Sequence, residues 1–580
     1  MKRKYKSILV VIFVNAIALA ACSDVQHADL VLTNGKIVTV DQNSTIAQAV
    51  AVSGDKILAV GTDKKIMRYA GDDTRIIDLR GKTVIPGIIE SHLHPETAAV
   101  SELDEEIPDV HSINELLAWI KDQTMKKDKG TWIIHPKLFS TRLIELRPPT
   151  IAQLDSVAPE NPVFLNGSYG GMINSAAIKQ SGITSETNNP GILLDKRTGL
   201  PTGLIRASAF GLLKTPQRKR LTYQEEVDAL ESMIRKYNRY GITSLFPGSG
   251  SSESLEMYRD MHKNNKLTAR IFQNITLQTD RGNITTEGVL EKLKSLPFVT
   301  GDGDEWVRVG PLKIILDGGI LTGTAYMREP WGDKARDIFG IEDPEYRGVL
   351  NYTREEVATI VKAANELNWS FTAHSTGGGG VDLLLDVYQE VNRIKPIQER
   401  RFSIIHGNFF TEESIIKMKE LGVCANMQPA WFYKDADAMK YILGETVIRT
   451  FQPYRSLLDA GVIVNGGSDH MVKWDANKSI NPYNPFLGMW TMITRTTERG
   501  SVILPSEAIT REEALKIYTI NNAFASFEES IKGSIEPGKL ADMAVLTDDI
   551  LTCPVDKIKD LESVMTLLGG NIVYSLPGTF

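Results

Sequence analysis

The sequence is poor in the residues that define several specialised classes of protein. Only three cysteines occur in 580 residues, which excludes a disulfide framework. Aromatic residues make up 7% of the chain. The 65 basic residues are outnumbered by 72 acidic ones, so the chain is net acidic and nucleic acid is not the expected partner. Hydrophobic residues nevertheless reach 42%, the balance of a globular protein. At about 100–200 residues per domain, we expect two to four domains or one large barrel with additions.

Near the start of the chain lies an apolar run that is too short to span a bilayer. Residues 8–21 follow a basic segment, whereas a membrane-spanning helix needs about 20 apolar residues; this order is typical of a signal peptide. Leu19-Ala20-Ala21-Cys22 resembles the lipobox of bacterial lipoproteins. The resemblance implies a signal peptide over residues 1–21 and lipid on Cys22. It places the protein in the bacterial cell envelope, membrane-anchored through lipid on the periplasmic or outer face.

The lipid-bearing chain is more acidic than the whole sequence. The net charge of the whole sequence is −7, and removal of four basic residues with the signal peptide brings it to −11. The two remaining cysteines, Cys424 and Cys553, are interpreted as packed thiols.

Both ends of the remaining chain have the pattern of short strands. We expect residues 22–84 and 531–580 to pair into one small β-sandwich. Asn34-Gly35, flanked by apolar residues, predicts a hairpin turn near the start of this segment.

Between these ends, amphipathic helices alternate with short apolar runs, which indicates a parallel sheet, open or closed. The predicted helices cover residues 114–121, 223–240, 354–368, 412–421 and 511–521. The apolar runs that end in polar residues cover 370–374, 402–406, 422–428 and 461–469.

A pair of histidines marks the start of this central region. His92 and His94 lie two residues apart after an apolar run, and alternate residues of a strand point to one face. They can therefore hold one metal ion together, although a His-x-His pair alone is weak evidence.

The spacing of later polar residues strengthens the metal hypothesis. His374 precedes His406 by 32 residues, and Asp469 follows 63 later. An eight-stranded barrel in roughly 250 residues uses about 31 per strand–helix unit. We therefore place His374, His406 and Asp469 at the ends of strands 5, 6 and 8 of a (β/α)8 TIM barrel of the α/β class, with residues 422–426 in strand 7. Such barrels carry catalysis at this rim.

Lys313 leaves two interpretations open. It shares a predicted strand face with Asp317, and the pattern alone favours an ion pair between them. Alternatively, a desolvated lysine near cations has a lowered pKa, and its neutral amine can react with CO2 to form a carbamate that bridges two metals.

Taken together, these motifs resemble the amidohydrolase superfamily, in particular the family 3 branch that includes N-substituted formamide deformylases. The resemblance covers nearly the whole of the chain that remains after removal of the predicted signal peptide. It rests on Pro86-Gly87, Ser91 to His94, Lys313 with Asp317-Gly318, His374, His406, Gln428-Pro429, Gly467-Ser468-Asp469 and the run from Gly533 to Asp542.

The resemblance implies a metal site at the barrel rim. Its implied ligands are His92, His94 and Asp469 on a first metal, His374 and His406 on a second, and carbamylated Lys313 between them. Imidazole and carboxylate ligands suit zinc, which lowers the pKa of bound water toward ~7. We expect two zinc ions, with one as the alternative, and Asp469 as general base. Candidates for contacts with substrate or ligands are Asp317, Gln428, Trp431 and His470.

The sequence departs from the family pattern around these ligands. Tyr169 precedes Asn174-Ser175 where the family usually has a histidine, Ile405 replaces an acid before His406, and residues 375–380 read Ser-Thr-Gly-Gly-Gly-Gly. The glycine run lacks the Lys-Ser/Thr of a phosphate loop. The family's usual substrates are therefore not assumed.

The predicted barrel region is longer than the roughly 250 residues of a simple (β/α)8 barrel, and the extra residues lie early in it. We predict a barrel over residues 85–530, with an irregular insertion at about 96–220 that covers the rim and supplies substrate contacts. Trp331, Trp431 and Tyr433 follow strand ends and are further candidates for the pocket wall.

The expected function is hydrolysis of a carbon–nitrogen bond in an amide, N-formyl compound or cyclic amide. A mononuclear metal-dependent deaminase, with Lys313 structural, is the alternative enzyme. A non-catalytic, lipid-tethered binding protein is the alternative from another class, and the complete ligand set argues against it. Expected partners are a small-molecule substrate, the membrane and a second copy of the chain in a homodimer.

Overall fold

The computed structural model describes residues 26–217, 220–279 and 282–579. The predicted signal peptide and Cys22 lie outside these ranges. Within them, no helix combines the length and apolar character that crossing a membrane requires.

The strands and helices are numbered in chain order. The strands are β1 (Leu30–Thr33), β2 (Lys36–Val38), β3 (Ile46–Ala47), β4 (Ala49–Ser53), β5 (Lys56–Gly61), β6 (Arg75–Asp78), β7 (Thr83–Pro86), β8 (Ile88–Leu93), β9 (Ile133–His135), β10 (Val163–Asn166), β11 (Gly170–Ile173), β12 (Ile192–Leu194), β13 (Pro201–Arg206), β14 (Ile242–Pro247), β15 (Arg270–Thr276), β16 (Val307–Ile315), β17 (Phe371–Ser375), β18 (Ser403–His406), β19 (Cys424–Met427), β20 (Val464–Gly466), β21 (Met543–Leu546), β22 (Ser563–Leu568) and β23 (Asn571–Ser575). The helices are α1 (Asp63–Ile66), α2 (Pro95–Val100), α3 (Ile113–Lys126), α4 (Ile151–Val157), α5 (Ser175–Ser181), α6 (Tyr223–Asn238), α7 (Ser252–Lys263), α8 (Thr286–Ser295), α9 (Asp333–Phe339), α10 (Arg354–Glu366), α11 (Gly378–Ile394), α12 (Glu412–Leu421), α13 (Pro429–Ile448), α14 (Tyr454–Asp459), α15 (Pro485–Thr494), α16 (Arg511–Ile517) and α17 (Ile520–Ala525).

Eight parallel strands form the barrel. Their order is β8-β14-β15-β16-β17-β18-β19-β20, and each pairs in parallel with the next. The ends of the sheet meet after β20, where the Asp469 N–H donates to the His92 carbonyl at 2.7 Å and the His94 N–H to the His470 carbonyl at 2.7 Å. The predicted (β/α)8 barrel is confirmed, and β17, β18, β19 and β20 are its strands 5 to 8.

The chain ends form a sandwich of two sheets. One sheet has the order β5-β4-β1-β6, and the other β23-β22-β21-β7-β2-β3. A shared apolar core lies between them, with Val50 and Ile77 from the first sheet and Val84, Val545 and Leu567 from the second. The predicted sandwich is confirmed, because the C-terminal β21 pairs antiparallel with the N-terminal β7.

The hairpin predicted at Asn34-Gly35 is wrong. β1 pairs with β4 and β6, whereas β2 pairs with β3 and β7 in the other sheet. The Asn34 backbone N–H is held by the Asp63 carboxylate at 2.8 Å, and the turn carries the chain from one layer to the other. A local turn signal does not reveal which strands pair across it.

The insertion at about residues 96–220, which the sequence predicted to be irregular, has regular secondary structure. It contains a five-stranded sheet, β12-β13-β11-β10-β9, with α3, α4 and α5 packed on its own apolar cores. The sheet went unrecognised because its strands are three to six residues long and do not alternate regularly.

The predicted helices agree with the structure apart from their ends and one break. Thr222, Thr353 and Thr510 cap α6, α10 and α16 through capping boxes. The helix expected over residues 511–521 is two helices, because Thr519 leaves the helical conformation at φ −130° and ψ −95°. Cys424 and Cys553 are buried free thiols, as predicted.

Candidate metal centre and active site

The barrel strands bring six side chains together at the C-terminal rim. Each lies in the last three residues of a buried strand or just after it, so the strand that is buried by its apolar residues also carries these polar side chains to the rim. The six side chains are His92 and His94 from β8, Lys313 from β16, His374 from β17, His406 from β18, and Asp469 after β20.

The four imidazoles and the aspartate form one continuous cluster. Asp469 Oδ1 lies 3.3 Å from His92 Nε2 and 3.2 Å from His94 Nε2. The ring centroid of His406 lies 5.3 Å from that of His92 and 4.5 Å from that of His374. Donor atoms of His92, His406 and Asp469 all fall within 4.8 Å of one another, the spacing of ligands around one metal ion.

In two of the histidines, one ring nitrogen makes a hydrogen bond and the other is left free to bind a metal ion. His374 Nε2 donates to the Gly318 carbonyl at 2.9 Å, which leaves Nδ1 with its lone pair. His406 Nδ1 lies 2.7 Å from Gln428 Oε1 and donates to it, because the Gln428 amide nitrogen donates to the Asn426 carbonyl. His406 Nε2 is therefore free, and both rings are oriented as metal ligands usually are.

These residues fit a metal ion. Both ring nitrogens of His92 are buried; Nδ1 has no hydrogen-bond partner among the described residues, and Nε2 has only the Asp469 carboxylate nearby, at 3.3 Å. Burial lowers the pKa of His92 to about 3 and that of His374 to about 4, so both imidazoles are neutral, the form that binds metal. A nitrogen-rich set with one carboxylate suits zinc.

Asp469 is held in an unusual backbone conformation. Its φ is 57°, in the left-handed region, which turns the carboxylate back toward the histidines. Burial alone would raise the pKa of Asp469, but His92, His94 and His406 outweigh it and hold that pKa well below its usual range. Asn481 Nδ2 donates to Oδ2 at 3.2 Å and to the Asp469 carbonyl at 2.8 Å.

The ion pair that the pattern favoured between Lys313 and Asp317 is wrong. Among the described residues no carboxylate oxygen lies within 4.0 Å of Lys313 Nζ, and Lys313 is 2% exposed. Burial lowers the pKa of Lys313 to about 8.

Asp317 organises the backbone behind the centre instead. Its carboxylate accepts the backbone N–H groups of Thr376 at 2.8 Å, Gly377 at 2.8 Å and Tyr326 at 3.0 Å. The glycine run is needed for this contact, since a Cβ on Gly377 would lie 2.1 Å from the Tyr326 carbonyl oxygen. The run begins α11 and packs against the preceding loop.

Of the other residues predicted to contact substrate or ligands, some line the cavity at the rim and others are packed in the interior. Trp431 lines the cavity and stacks on His406 with ring centroids 4.5 Å apart. His470 is turned away, bonded through Nδ1 to the Tyr237 hydroxyl at 2.8 Å and through Nε2 to the Lys473 carbonyl. Trp331 donates to the Ala325 carbonyl, and Tyr433 packs against Trp490; neither lines the cavity.

A cavity of about 220 Å³ opens over the six rim residues. The insertion closes one side of it with Lys137, Phe139, Ser168 and Tyr169. Sequence reasoning missed Lys137 and Phe139, and it missed Asn481, because none of them ends a barrel strand. Tyr169, noted as a departure from the family pattern, contributes its phenol ring to the wall.

Comparison with known proteins agrees with this geometry. The amidohydrolase family model (Amidohydro_3) matches residues 75–574. An N-substituted formamide deformylase from Arthrobacter pascens is 30% identical over 567 residues, 96% of this chain and 100% of the relative. Protein LONG AFTER FAR-RED 3 from Arabidopsis thaliana is 27% identical, covering 94% of this chain and 92% of the relative. An uncharacterized metal-dependent hydrolase from Pyrococcus furiosus superposes with a TM-score of 0.63 at 23% identity, over 90% of this chain and 100% of that one.

A (β/α)8 barrel with this cluster at its C-terminal rim defines a metal-dependent hydrolase. The chain belongs to the amidohydrolase family, and it is a hydrolase acting on carbon–nitrogen bonds.

Proposed function

We propose that the protein hydrolyses a small amide, N-formyl compound or cyclic amide, with Asp469 as the general base. The observation that carries this proposal is the contact of Asp469 Oδ1 with both His92 Nε2 and His94 Nε2 at one end of the cavity. The deformylase relative supports an acyl group as the part that is removed.

The metal would be held by His92, His94, His374, His406 and Asp469, with Lys313 beside it. We propose two zinc ions and a carbamate on Lys313. A bound zinc ion supplies a water of lowered pKa and polarises the substrate carbonyl. Support for the carbamate comes from the buried amine of Lys313, which has no carboxylate partner among the described residues.

The chain's own residues carry the proton. Asp469 takes it from the attacking water and passes it to the leaving nitrogen, so that one carboxylate acts first as base and then as acid. Asn481 holds Oδ2 and so leaves Oδ1 to face the reaction. Trp431 and the apolar wall exclude bulk water around the substrate.

A hydrolysis screen tests the activity. Libraries of N-formyl, N-acyl and cyclic amides would be followed by release of amine or acid, with Asp469→Asn as the inactive control. Hydrolysis by the wild type that falls by about 10²–10⁴ in the variant supports the proposal. Ammonia released from a heteroaromatic substrate, with about one metal per chain, would favour the mononuclear deaminase instead.

The carbamate has its own test. Lys313→Ala should lose activity, and short-chain carboxylic acids should restore part of it by standing in for the carbamate. Failure of every such acid, with metal still bound, would assign Lys313 a structural role.

We also propose that lipid on Cys22 tethers the enzyme to the cell envelope, which rests on the lipobox at residues 19–22. Mass spectrometry of the N-terminal peptide checks this, with Cys22→Ala as control. A membrane-bound wild type and a released variant are expected; an unmodified Cys22 in the wild type would contradict the proposal.

A further inference from the structure

Arg142 connects the insertion to the barrel. It ends a single 3₁₀ turn, Ser140–Arg142, and its side chain is largely buried. The guanidinium donates to both carboxylate oxygens of Asp435 on α13, at 2.7 and 2.9 Å, and Asp435 is fully buried. Because the guanidinium is planar, this paired contact also fixes the directions of its other N–H groups.

Those N–H groups point to the segment after β20 that carries Asn481. Nη1 donates to the Ile480 carbonyl, and Nη2 donates to Asn481 Oδ1 at 3.2 Å. Arginine has no hydrogen-bond acceptor, so the Asn481 amide must present its oxygen to Arg142. The amide nitrogen of Asn481 is thereby directed to the opposite side.

Asp469 lies on that opposite side. Asn481 Nδ2 donates to the Asp469 carbonyl at 2.8 Å and to Oδ2 of its carboxylate at 3.2 Å. An inverted Asn481 amide would place its oxygen against two oxygens of Asp469 and its NH2 group against the guanidinium. Arg142 and Asp469 therefore require the same orientation of Asn481, which is buried from water.

The conformation of Asp469 depends on this contact. Its φ of 57° lies in the left-handed region, which few residues other than glycine adopt. The bond from Asn481 to the Asp469 carbonyl restrains that backbone, and the bond to Oδ2 restrains the carboxylate. Oδ1 is then left to face His92 Nε2 and His94 Nε2, at 3.3 and 3.2 Å.

We propose that Arg142 is a positioning residue: it orients the Asn481 amide, which in turn holds Asp469 in place for proton transfer. We call the contacts from Asp435 through Arg142 and Asn481 to Asp469 the relay. This inference rests on the proposed role of Asp469 as general base. It goes beyond that role because it makes the insertion a part of the catalytic apparatus as well as a wall of the cavity.

A double-mutant cycle tests the relay in the zinc-saturated enzyme with an amide that it hydrolyses. Arg142→Met and Asn481→Ala should each lower kcat about 10–100-fold, the usual effect of losing a residue that supports a metal ligand. KM should change little, because Asp469 acts in the transition state. The double variant should fall no further than the weaker single variant, since both substitutions remove the same restraint. Losses that multiply, or full kcat in Arg142→Met, would overturn the inference.

Two further variants separate the relay from a structural role. Arg142→Met leaves Asp435 buried without its cation, so Arg142→Met/Asp435→Asn, which removes both charges, should fold more stably and show the same loss of kcat. Arg499→Met is the matched control. Arg499 Nη2 donates to the Leu143 carbonyl at 3.1 Å and so anchors the same stretch of the insertion, but among the described residues it makes no hydrogen bond to Asn481. Its kcat should equal that of the wild type, and a loss as large as that of Arg142→Met would contradict the relay.

Zinc affinity separates this inference from the proposed function. Asp469 is also a proposed metal ligand, so Arg142→Met and Asn481→Ala should each weaken zinc binding about 10–100-fold in competition with a chromogenic chelator. The double variant should again match the weaker single variant. Such coupling supports the relay even where the wild type hydrolyses no amide, the outcome that would defeat the proposed function. Additive losses of zinc affinity, or no loss in either single variant, would defeat the relay alone.

Discussion

At the scale of single residues, the centre depends on side chains that fix which atom of a ligand faces inward. Gln428 accepts from His406 Nδ1 at 2.7 Å, and Gly318 accepts from His374 Nε2 at 2.9 Å. Each bond sets the tautomer and the rotation of a ring, and so directs one lone pair toward the cluster.

Replacement of Gln428 by methionine should therefore weaken metal binding without removing a ligand. We expect the affinity for zinc to fall about 10–100-fold, as is usual when the partner of a ligating histidine is lost. Competition with a chromogenic chelator measures it. Gln398→Met, on the surface, is the control. Unchanged zinc affinity in Gln428→Met would show that His406 does not need this bond to bind metal.

At the scale of elements, the loops after the barrel strands are locked together around Asp317. The loop after β17 lies so close to the Tyr326 backbone that Gly377 has no room for a side chain. The two loops hold the backbone behind His374 and Lys313.

Gly377→Ala should thus destabilise the fold and distort the centre together. A Cβ there would lie 2.1 Å from the Tyr326 carbonyl oxygen, and such overpacking costs about 1–3 kcal/mol or more in the free energy of unfolding. Urea denaturation and kcat/KM both report it. Gly211→Ala, with no heavy atom within 4 Å of the added Cβ, is the control and should change little. Equal stability of the two variants would refute this account of the glycine run.

The sequence predicted the elements whose position follows from regular spacing. His374, His406 and Asp469 recur at intervals of one and two strand–helix units, and the structure places them on β17, on β18 and after β20. Asn481 and Lys137 lie on segments of no fixed length, so no periodicity locates them. The partners of Asp317 are backbone N–H groups, which leave no signature in the amino-acid sequence.

At the scale of the whole molecule, the sandwich and the barrel are joined by a buried ion pair. Arg270 on β15 donates to both oxygens of Asp542, just before β21, at 2.7 and 3.0 Å. Both side chains are at most 5% exposed. The pair links the first strands of the barrel to the last strands of the chain.

Asp542→Ala should leave Arg270 buried without its carboxylate and cost about 3–5 kcal/mol in the free energy of unfolding. Urea denaturation followed by tryptophan fluorescence measures the loss. Asp560→Ala, on the surface, should change it by less than about 0.5 kcal/mol. A stability of Asp542→Ala equal to that of the wild type would mean that the pair does not couple the two units.

If the rim cluster holds catalytic metal, the purified protein should contain it and should need it for hydrolysis. Elemental mass spectrometry of the wild type and of His92→Ala/His406→Ala would be compared with the rate of amide hydrolysis in the same samples. We expect about two zinc ions per wild-type chain, with both metal and activity lost in the double variant. A wild type that binds no metal yet hydrolyses amides, or a double variant that keeps its full metal content, would contradict it.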